Sequence, residues 1–357
     1  MIKILHTADW HIDAPLRNFT DLQRRELRSS LLEMPGKIAD LCLREGCDLV
    51  LLAGDIFDGP YSREGYEAVY RALERMEVPV FVAPGNHDPY RDLSPWVREP
   101  WPENVYIFKR QEISCYAIRE LDCRVYGAAF TESRCPGLLE GFRAECTERH
   151  ALLLLHADPV NSDSPYCPVT AAQLRDSGVD YAALGHIHAT GSFEAGAGVC
   201  AWPGCPGGRG FDETGVKGLC IAELDESVNL RFVPLDGPRF QEYTVSALGD
   251  PVAAVADLLP PVGNRDHIRI RLVGETAAGA TDGLSLAFAE YPNLTILDET
   301  TVLGDVWDNA EDDTLTGLFF RILRDGAREA DPDTAKTLEL AARIGRKILE
   351  GREVELP

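Results

Sequence analysis

Residues 48–58 have the sequence DLVLLAGDIFD, an apolar run that ends in a glycine and a pair of aspartates. A short apolar run bounded by Gly46 and Gly54 predicts a strand that is covered on both faces. Similar apolar runs occur before it, at Ile2–Leu5, and after it, at Val78–Ala83, with helical patterns between them. The alternation of strands and helices predicts an α/β fold with helices layered on a sheet.

The same pattern continues along the first two thirds of the chain. We expect strands at Val105–Phe108, Arg124–Ala128, Ala151–Leu155 and Tyr181–Leu184, and a closing hairpin of Gly218–Leu224 and Asn229–Pro234. Helices are expected at Leu22–Glu33 and Arg63–Met76. A proline suits the first turn of a helix, so Pro35 predicts the start of a separate helix that ends near Glu45.

A turn-rich break at Asp236–Pro238 indicates a domain boundary. We therefore predict a first domain over residues 1–236 and a small α+β module over residues 237–303. Residues 304–357 are expected to form a helical C-terminal tail. In its last helix an apolar stripe between Leu338 and Leu349 has helical spacing, which is typical of packing on the same chain or of docking to a partner.

Composition restricts the class of protein. The 357 residues carry 35 basic and 58 acidic side chains, a formal net charge of −23. This charge argues against a protein that coats nucleic acid by electrostatics alone, but not against an enzyme that presents metal ions to phosphate. The ten cysteines have no zinc-type spacing. Without a membrane-length apolar run or a secretory pattern, we expect a cytoplasmic protein.

Five polar segments follow predicted strands, and together they contain five of the eight histidines. They are Asp9-Trp10-His11, Gly54-Asp55-Ile56-Phe57-Asp58, Gly85-Asn86-His87-Asp88, Leu155-His156-Ala157-Asp158 and Gly185-His186-Ile187-His188. Because strand ends meet along one crevice of an α/β sheet, these loops are expected to converge. Imidazoles, carboxylates and one amide suit manganese, iron or zinc, and suit magnesium less well.

Each segment alone has an ordinary structural interpretation. The glycine and asparagine of residues 85–88 are typical of a tight turn, and His156 alone would be interpreted as a core histidine. His6, on the first strand, is interpreted as a packed residue. The five segments in this order favour a metal centre instead.

This ordered set resembles the calcineurin-like metallophosphoesterases. The opening ILHTADWH of residues 4–11 is similar to the SbcD-type DNA repair nucleases, and residues 202–218 are similar to the YhaO-type branch of that group. The resemblance covers roughly residues 1–235. It implies a four-layer α/β/β/α sandwich followed by a small α+β capping domain and a helical tail.

The resemblance also implies two divalent metal ions, with manganese favoured over iron, zinc or magnesium. One ion would be held by Asp9, His11, Asp55 and His188, and the other by Asp55, Asn86, His156 and His186, so that Asp55 bridges. His87 is implied as the catalytic residue that holds no metal, with Asp88 expected to orient it. Asp58 and Arg209 are expected either to support the metal ligands or to bind the substrate, with a solvated loop position as an alternative for Arg209.

The function implied is a DNA nuclease, a 3′-to-5′ exonuclease with endonuclease action on single strands as a further option. The implied partners are DNA and an SMC-like ATPase of the SbcC type, and a homodimer stays open. Two alternatives remain. One is a phosphoesterase of small nucleotides or phosphomonoesters, and the other is a scaffold subunit that mainly binds an ATPase.

Overall fold

The computed structural model describes residues 1–302, 304, 306–349 and 351. The strands are β1 (Ile2–Thr7), β2 (Leu49–Leu52), β3 (Val80–Val82), β4 (Val105–Ile107), β5 (Ser114–Ile118), β6 (Cys123–Gly127), β7 (His150–His156), β8 (Tyr181–Gly185), β9 (Gly191–Ala195), β10 (Gly198–Trp202), β11 (Gly218–Leu224), β12 (Val228–Pro234), β13 (Phe240–Ser246), β14 (His267–Val273), β15 (Glu275–Thr276), β16 (Leu294–Asp298) and β17 (Thr301–Val302). The helices are α1 (Asp21–Glu45), α2 (Arg63–Arg75), α3 (Pro95–Arg98), α4 (Ala171–Ser177), α5 (Pro251–Ala256), α6 (Leu284–Ala287), α7 (Leu315–Glu329) and α8 (Pro332–Leu349).

Two six-stranded sheets form the centre of the fold. The first has the order β12-β11-β1-β2-β3-β4, and the second has the order β5-β6-β7-β8-β10-β9. Strands β1 to β4 run parallel, as do β6, β7 and β8. The predicted hairpin of β11 and β12 is confirmed. Strand β11 pairs antiparallel with β1, so the hairpin extends the first sheet.

Alternate residues of the central strands belong to different cores. Leu49 and Leu51 of β2 share a buried cluster with Leu152 and Leu154 of β7, so this core lies between the sheets. Val50 and Leu52 pack on the opposite face, in a cluster that includes Ile38 of α1 and Leu73 of α2.

The other face of the second sheet is covered as well. Leu153 and Leu155 of β7 share a buried cluster with Leu174 of α4. The order is therefore helix layer, sheet, sheet, helix layer, and the expected α/β/β/α sandwich is confirmed. Burial on both faces explains why these strands are continuous apolar runs in the sequence.

Helix α1 differs from the expectation. It is one helix from Asp21 to Glu45, with a capping box at Thr20 and Pro35 in its interior. The prediction of a second helix starting at Pro35 is therefore wrong. The proline removes one helical N–H, but Leu31 and Ile38, on either side of it, are buried in apolar clusters that hold the helix in place.

The chain divides into two compact units. Unit 1 contains residues 1–242, 263–269 and 291–295, and unit 2 contains the remainder. The domain boundary at residues 236–238 stays a prediction. Within unit 2, α7 and α8 pack as a pair around Phe320 and Ala342.

The predicted tail helix corresponds to α8. Residues 303, 305, 350 and 352–357 of the predicted module and tail lie outside the described residues. Within the part of the chain described, no helix is long and apolar enough to cross a membrane.

Candidate metal centre

The five polar segments lie at the carboxyl ends of parallel strands. Those of Asp9, Asp55 and Asn86 follow the adjacent strands β1, β2 and β3 of the first sheet. His156 ends β7, and His186 follows the neighbouring β8 of the second sheet. The predicted convergence is therefore observed.

Backbone hydrogen bonds join the first two of these loops. The N–H of Asp9 donates to the carbonyl oxygen of Gly54 at 3.0 Å, and that of His11 donates to the carbonyl oxygen of Asp55 at 2.9 Å. Asp9, His11, Asp55 and His186 all have left-handed backbone, with φ between 46° and 88°. Non-glycine residues rarely adopt this conformation, and its concentration at one place is typical of a functional site.

Three acceptor atoms converge at His156. Its Nδ1 lies 2.8 Å from the carbonyl oxygen of Ala53 and donates to it, which leaves Nε2 without a hydrogen in the neutral ring. That Nε2 lies 2.9 Å from Asn86 Oδ1 and 3.3 Å from Asp55 Oδ2. Three such atoms facing one another need a proton or a cation between them.

Burial and neighbouring charges have opposite effects on the pKa values of His156 and Asp55. Burial alone would lower the pKa of His156, but the charge of Asp55 raises the pKa to about 9. Burial would likewise raise the pKa of Asp55, yet His156 and His11 hold it well below its usual range. A metal ion held here by His156, Asn86 and Asp55 would compete with a proton for His156 Nε2.

A second convergence involves His11, His188 and Asp9. The Nε2 atoms of His11 and His188 lie 3.2 Å apart, and His188 Nε2 lies 3.9 Å from Asp9 Oδ1. One ligand atom from each of the three residues falls within 4.8 Å of the others. On the far side of its ring, His11 Nδ1 is buried and lies 3.6 Å from Asp58 Oδ2, beyond hydrogen-bond distance.

His186 lies beside both groups. Its backbone N–H donates to both carboxylate oxygens of Asp9 at 3.1 Å, and its ring centroid is 5.2 Å from that of His156. Its Nε2 is 3.9 Å from Asp158 Oδ2, a carboxylate that the sequence did not single out as a site residue. The structure thus brings together all seven residues that the resemblance assigned to the metal ions.

Two glycines allow the backbone to lie close to the side chains of His156 and Asp55. Gly54 has φ of 86°, and a Cβ there would lie 2.6 Å from His156 Nδ1. A Cβ at Gly85 would collide with Asp55 Oδ1. Neither position accepts a larger side chain without moving a metal-ligand candidate.

Asp88 has a different position from the one expected. Its buried carboxylate accepts backbone N–H groups of Asp55, Ile56, Phe57 and Gly85 at 2.8–3.2 Å. It therefore ties the loops after β2 and β3 together. The expectation that Asp88 orients the His87 ring is corrected, because the hydrogen-bonding capacity of Asp88 is committed to the backbone.

Asp58 is the partner of His87. His87 Nδ1 lies 2.8 Å from Asp58 Oδ1, and the His87 side chain is 44% exposed. The hydrogen bond to Asp58 raises the pKa of His87 above its ordinary value. In turn, His11 and His87 hold the pKa of Asp58 well below its usual range.

Glu213 is a site residue that the sequence did not reveal. This buried carboxylate lies 2.8 Å from His188 Nδ1 and pairs with Arg209. Arg209 Nη1 is also 3.7 Å from Asp58 Oδ2. A carboxylate on the far nitrogen fixes the tautomer and orientation of a ligating histidine, so Glu213 and Arg209 link the metal centre to the His87–Asp58 pair.

The donor set fits divalent metal ions. Carboxylate oxygens, imidazole nitrogens and an amide oxygen face each other without enough hydrogens to satisfy them. Such hard and borderline ligands are those of manganese, iron and zinc sites.

Comparison with known proteins agrees with this chemistry. The family model of calcineurin-like phosphoesterases matches residues 2–190. The uncharacterized metallophosphoesterase YhaO of Bacillus subtilis is 30% identical over 239 residues, 62% of this chain and 57% of that protein. The SbcD subunit of the SbcCD nuclease of Rhodobacter capsulatus is 33% identical over 142 residues, 38% of this chain and 28% of that protein.

Among solved structures, a dimetal phosphatase from Danio rerio is similar with a TM-score of 0.46 and 16% identity, covering 66% of this chain and 96% of that one. The matched region is less than two thirds of the length of either of the two curated relatives. The family model, in contrast, extends over more than half of this chain and contains all seven metal-ligand candidates. The chain belongs to the calcineurin-like phosphoesterase family.

Proposed function

We propose that this protein is a two-metal phosphodiesterase that hydrolyses DNA. Asp9, His11, Asp55 and His188 would hold one ion, and Asp55, Asn86, His156 and His186 the other. When bound, the ions supply Lewis acidity to the phosphoryl oxygens and increase the acidity of water. Manganese is the ion we favour.

The chain's own residues supply the remaining parts. His87, with Nδ1 bonded to Asp58, holds a proton that its other ring nitrogen can give to the departing alkoxide. Asp58 raises the pKa of that ring and orients it through the hydrogen bond to Nδ1. Asp88 fixes the loop that carries Asn86 and His87, so it acts as a positioning residue.

The observation that supports a diester substrate is a pair of cavities, one beside His87 and one beside Asp58. One cavity of about 570 Å³ has His87 in its wall together with Arg63, Arg91 and Arg98. Another of about 670 Å³ has Asp58 and Arg209 in its wall. A phosphodiester has a group on each side of phosphorus, whereas a phosphomonoester has a group on only one side.

The choice of DNA rests on the partial similarity to the SbcD subunit and on these cavities. The net charge of −23 is unfavourable for a long polyanion, but bound ions would concentrate positive charge at the site, and Arg91 and Arg98 lie in the wall of the His87 cavity. Cleavage of end-labelled single-stranded and duplex DNA with Mn²⁺, beside an EDTA control and His87→Ala, tests the proposal. Metal-dependent shortening that the variant abolishes is expected.

Hydrolysis of phosphomonoesters in preference to diesters, with intact DNA, would contradict the proposal in favour of the small-substrate alternative. Comparing p-nitrophenyl phosphate with bis-p-nitrophenyl phosphate makes that distinction. Failure to hydrolyse any of these compounds with metal bound would favour the scaffold alternative.

An SMC-like ATPase is proposed as partner on the basis of α7 and α8. The exposed side chains of Leu315, Ile322 and Ile348 border an apolar cavity of about 820 Å³ between these helices. Part of the predicted stripe, including Ala342, packs on α7, while its end stays exposed. Deleting residues 331–357 should abolish binding of the ATPase and leave diester hydrolysis unchanged.

A further inference from the structure

The cavity that contains Asp58 and Arg209 has a second wall with different chemistry. This wall is built within unit 1 from the loop after β1, the loop before β11 and the start of β14. It carries Phe19, Phe211, His267 and Arg269. We refer to it as the aromatic wall.

Arg269 and Phe211 form a flat platform in the aromatic wall. The guanidinium carbon of Arg269 lies 3.9 Å from the centroid of the Phe211 ring. Arg269 Nη1 is 3.4 Å from Glu242 Oε2, and the Phe211 ring meets buried Phe240 edge-on at 5.1 Å. The platform is therefore held in place from two sides before any ligand arrives.

The rings behind the platform are also fixed. His267 stacks on Phe240 with centroids 4.7 Å apart and planes 16° apart, and Phe19 meets His267 edge-on at 5.7 Å. Such a wall presents aromatic surface at little cost in side-chain entropy.

An unsatisfied acceptor lies in the same cavity as the aromatic wall, just before β16. Asn293 is 8% exposed, and its Oδ1 has no hydrogen-bond partner among the described residues. Its Nδ2 is 3.4 Å from the carbonyl oxygen of Arg265, which fixes the amide. Buried polar atoms are rarely left unpaired, so this oxygen points to a ligand that donates a hydrogen bond.

The charges argue against a simple anion site. The cavity as a whole is lined by Arg17, Arg209 and Arg269, but also by Asp58, Asp212 and Glu213. Arg209 is already paired with Glu213. A flat ligand with a π face and a hydrogen-bonding edge fits this surface better than a second phosphate does, and a nucleobase has both features.

We propose that the aromatic wall is a subsite for one unstacked nucleobase beside the phosphodiester at the metal centre, with Arg269 as its stacking surface. This inference rests on the proposed function and specifies its substrate class. A base within a duplex has both faces covered by its neighbours, so the subsite selects single strands, frayed ends or flipped nucleotides.

The test uses binding and hydrolysis as separate measurements. Affinity for a single-stranded 12-mer is measured by fluorescence anisotropy with Ca²⁺ in place of Mn²⁺, for the whole protein. Arg269→Lys keeps the positive charge and removes the guanidinium plane, and Arg269→Gln removes both. Arg25→Gln, an exposed arginine on α1, is the matched control.

We expect both Arg269 variants to bind the 12-mer about ten times more weakly, the usual size of one lost stacking contact. Arg25→Gln should bind as the wild type does, and thermal unfolding should show that all three variants are folded. An oligonucleotide that is abasic throughout should bind the wild type and Arg269→Lys equally, because it has no base to stack.

Wild-type affinity in Arg269→Lys would overturn the subsite, because it would show that charge alone matters. An equal loss in Arg25→Gln would overturn it as well. Failure of the proposed function would look different, since wild-type protein with Mn²⁺ would then leave the 12-mer intact whatever the binding result.

Discussion

The metal centre and the pair of helices α7 and α8 depart from ordinary burial in opposite directions. At the metal centre, charged and polar groups such as Asp9, Asp55 and His156 are almost completely buried. On the helix pair, Leu315 and Ile322 are 85% and 62% exposed. Burying a charge and exposing an apolar patch are both unfavourable unless something compensates.

The source of that compensation differs between the two regions. The buried groups compensate one another in part, and bound cations would complete that compensation, so we expect the metal centre to function without another protein. The helix pair has only a small core of its own, around Phe320 and Ala342, and we expect a partner to complete it. Changes in the two regions should therefore have separate consequences.

Asp55→Asn should have the largest effect. The proposed bridging carboxylate faces His156 and His11, and its removal takes negative charge from both metal positions. We expect bound manganese to fall from two ions to one or none per chain and diester turnover to fall at least about 1,000-fold, of the order expected for a lost metal centre. Metal analysis and turnover on one preparation measure both. Retention of two ions and wild-type turnover would contradict the assignment.

The next largest effect, a loss of metal affinity, is expected for Glu213→Gln. This change weakens the hydrogen bond that fixes His188, and such changes typically lower metal affinity about 10- to 100-fold. Titration with Mn²⁺ followed by diester turnover gives the affinity. Glu226→Gln, at an exposed residue in the turn between β11 and β12, is the control and should match the wild type. Equal behaviour of the two variants would show that Glu213 does not support His188.

Substitutions on the helix pair are expected to have a smaller effect on the activity of the isolated protein. In Ile322→Glu with Ile348→Glu, two exposed apolar residues become charged. We expect diester turnover within about twofold of the wild type and loss of binding to the SMC-like ATPase, measured by co-purification of the two purified proteins. The control, Arg328→Glu with Lys336→Glu, changes exposed charges on the same helices and should still bind. Loss of turnover in the first variant would contradict the separation of the two regions.

The smallest effect concerns stability at acidic pH. Burial lowers the pKa of His267 to about 4 from its ordinary value of 6.5. As pH falls from 6.5 towards 4, the unfolded chain binds this proton first, so stability is lost across that window. We expect His267→Phe, which keeps a ring on Phe240, to lose roughly 1–2 kcal/mol less than the wild type between about pH 7 and pH 5. Urea unfolding at both pH values measures the difference, and equal losses would contradict it.

The sequence could predict which polar residues lie close together, because each motif combines metal-binding side chains with a position at a strand end. Asp55, for example, follows a fully apolar strand, and parallel strands bring their ends to one edge. The strand hairpin of β9 and β10 was missed, although the glycines at positions 196 and 198 mark its turn.

Other features depend on contacts that no local pattern contains. Glu213 reaches His188 only because the loop before β11 folds back to it, and a glycine-rich stretch beside it is the sole local signal. Asp58 and Asp88 are both aspartates near His87, and only the three-dimensional fold shows that Asp88 is used by the backbone. Pro35 remains helical because packing along α1 outweighs the local preference.

The proposed proton transfer is tested by His87→Ala, assayed at saturating Mn²⁺ with metal content measured on the same preparation. We expect two bound ions, as in the wild type. The kcat for bis-p-nitrophenyl phosphate and for end-labelled DNA should fall about 100- to 10,000-fold, the usual contribution of a general acid. Two bound ions with wild-type kcat on both substrates would contradict the assignment of His87 and Asp58 as the proton-transferring pair.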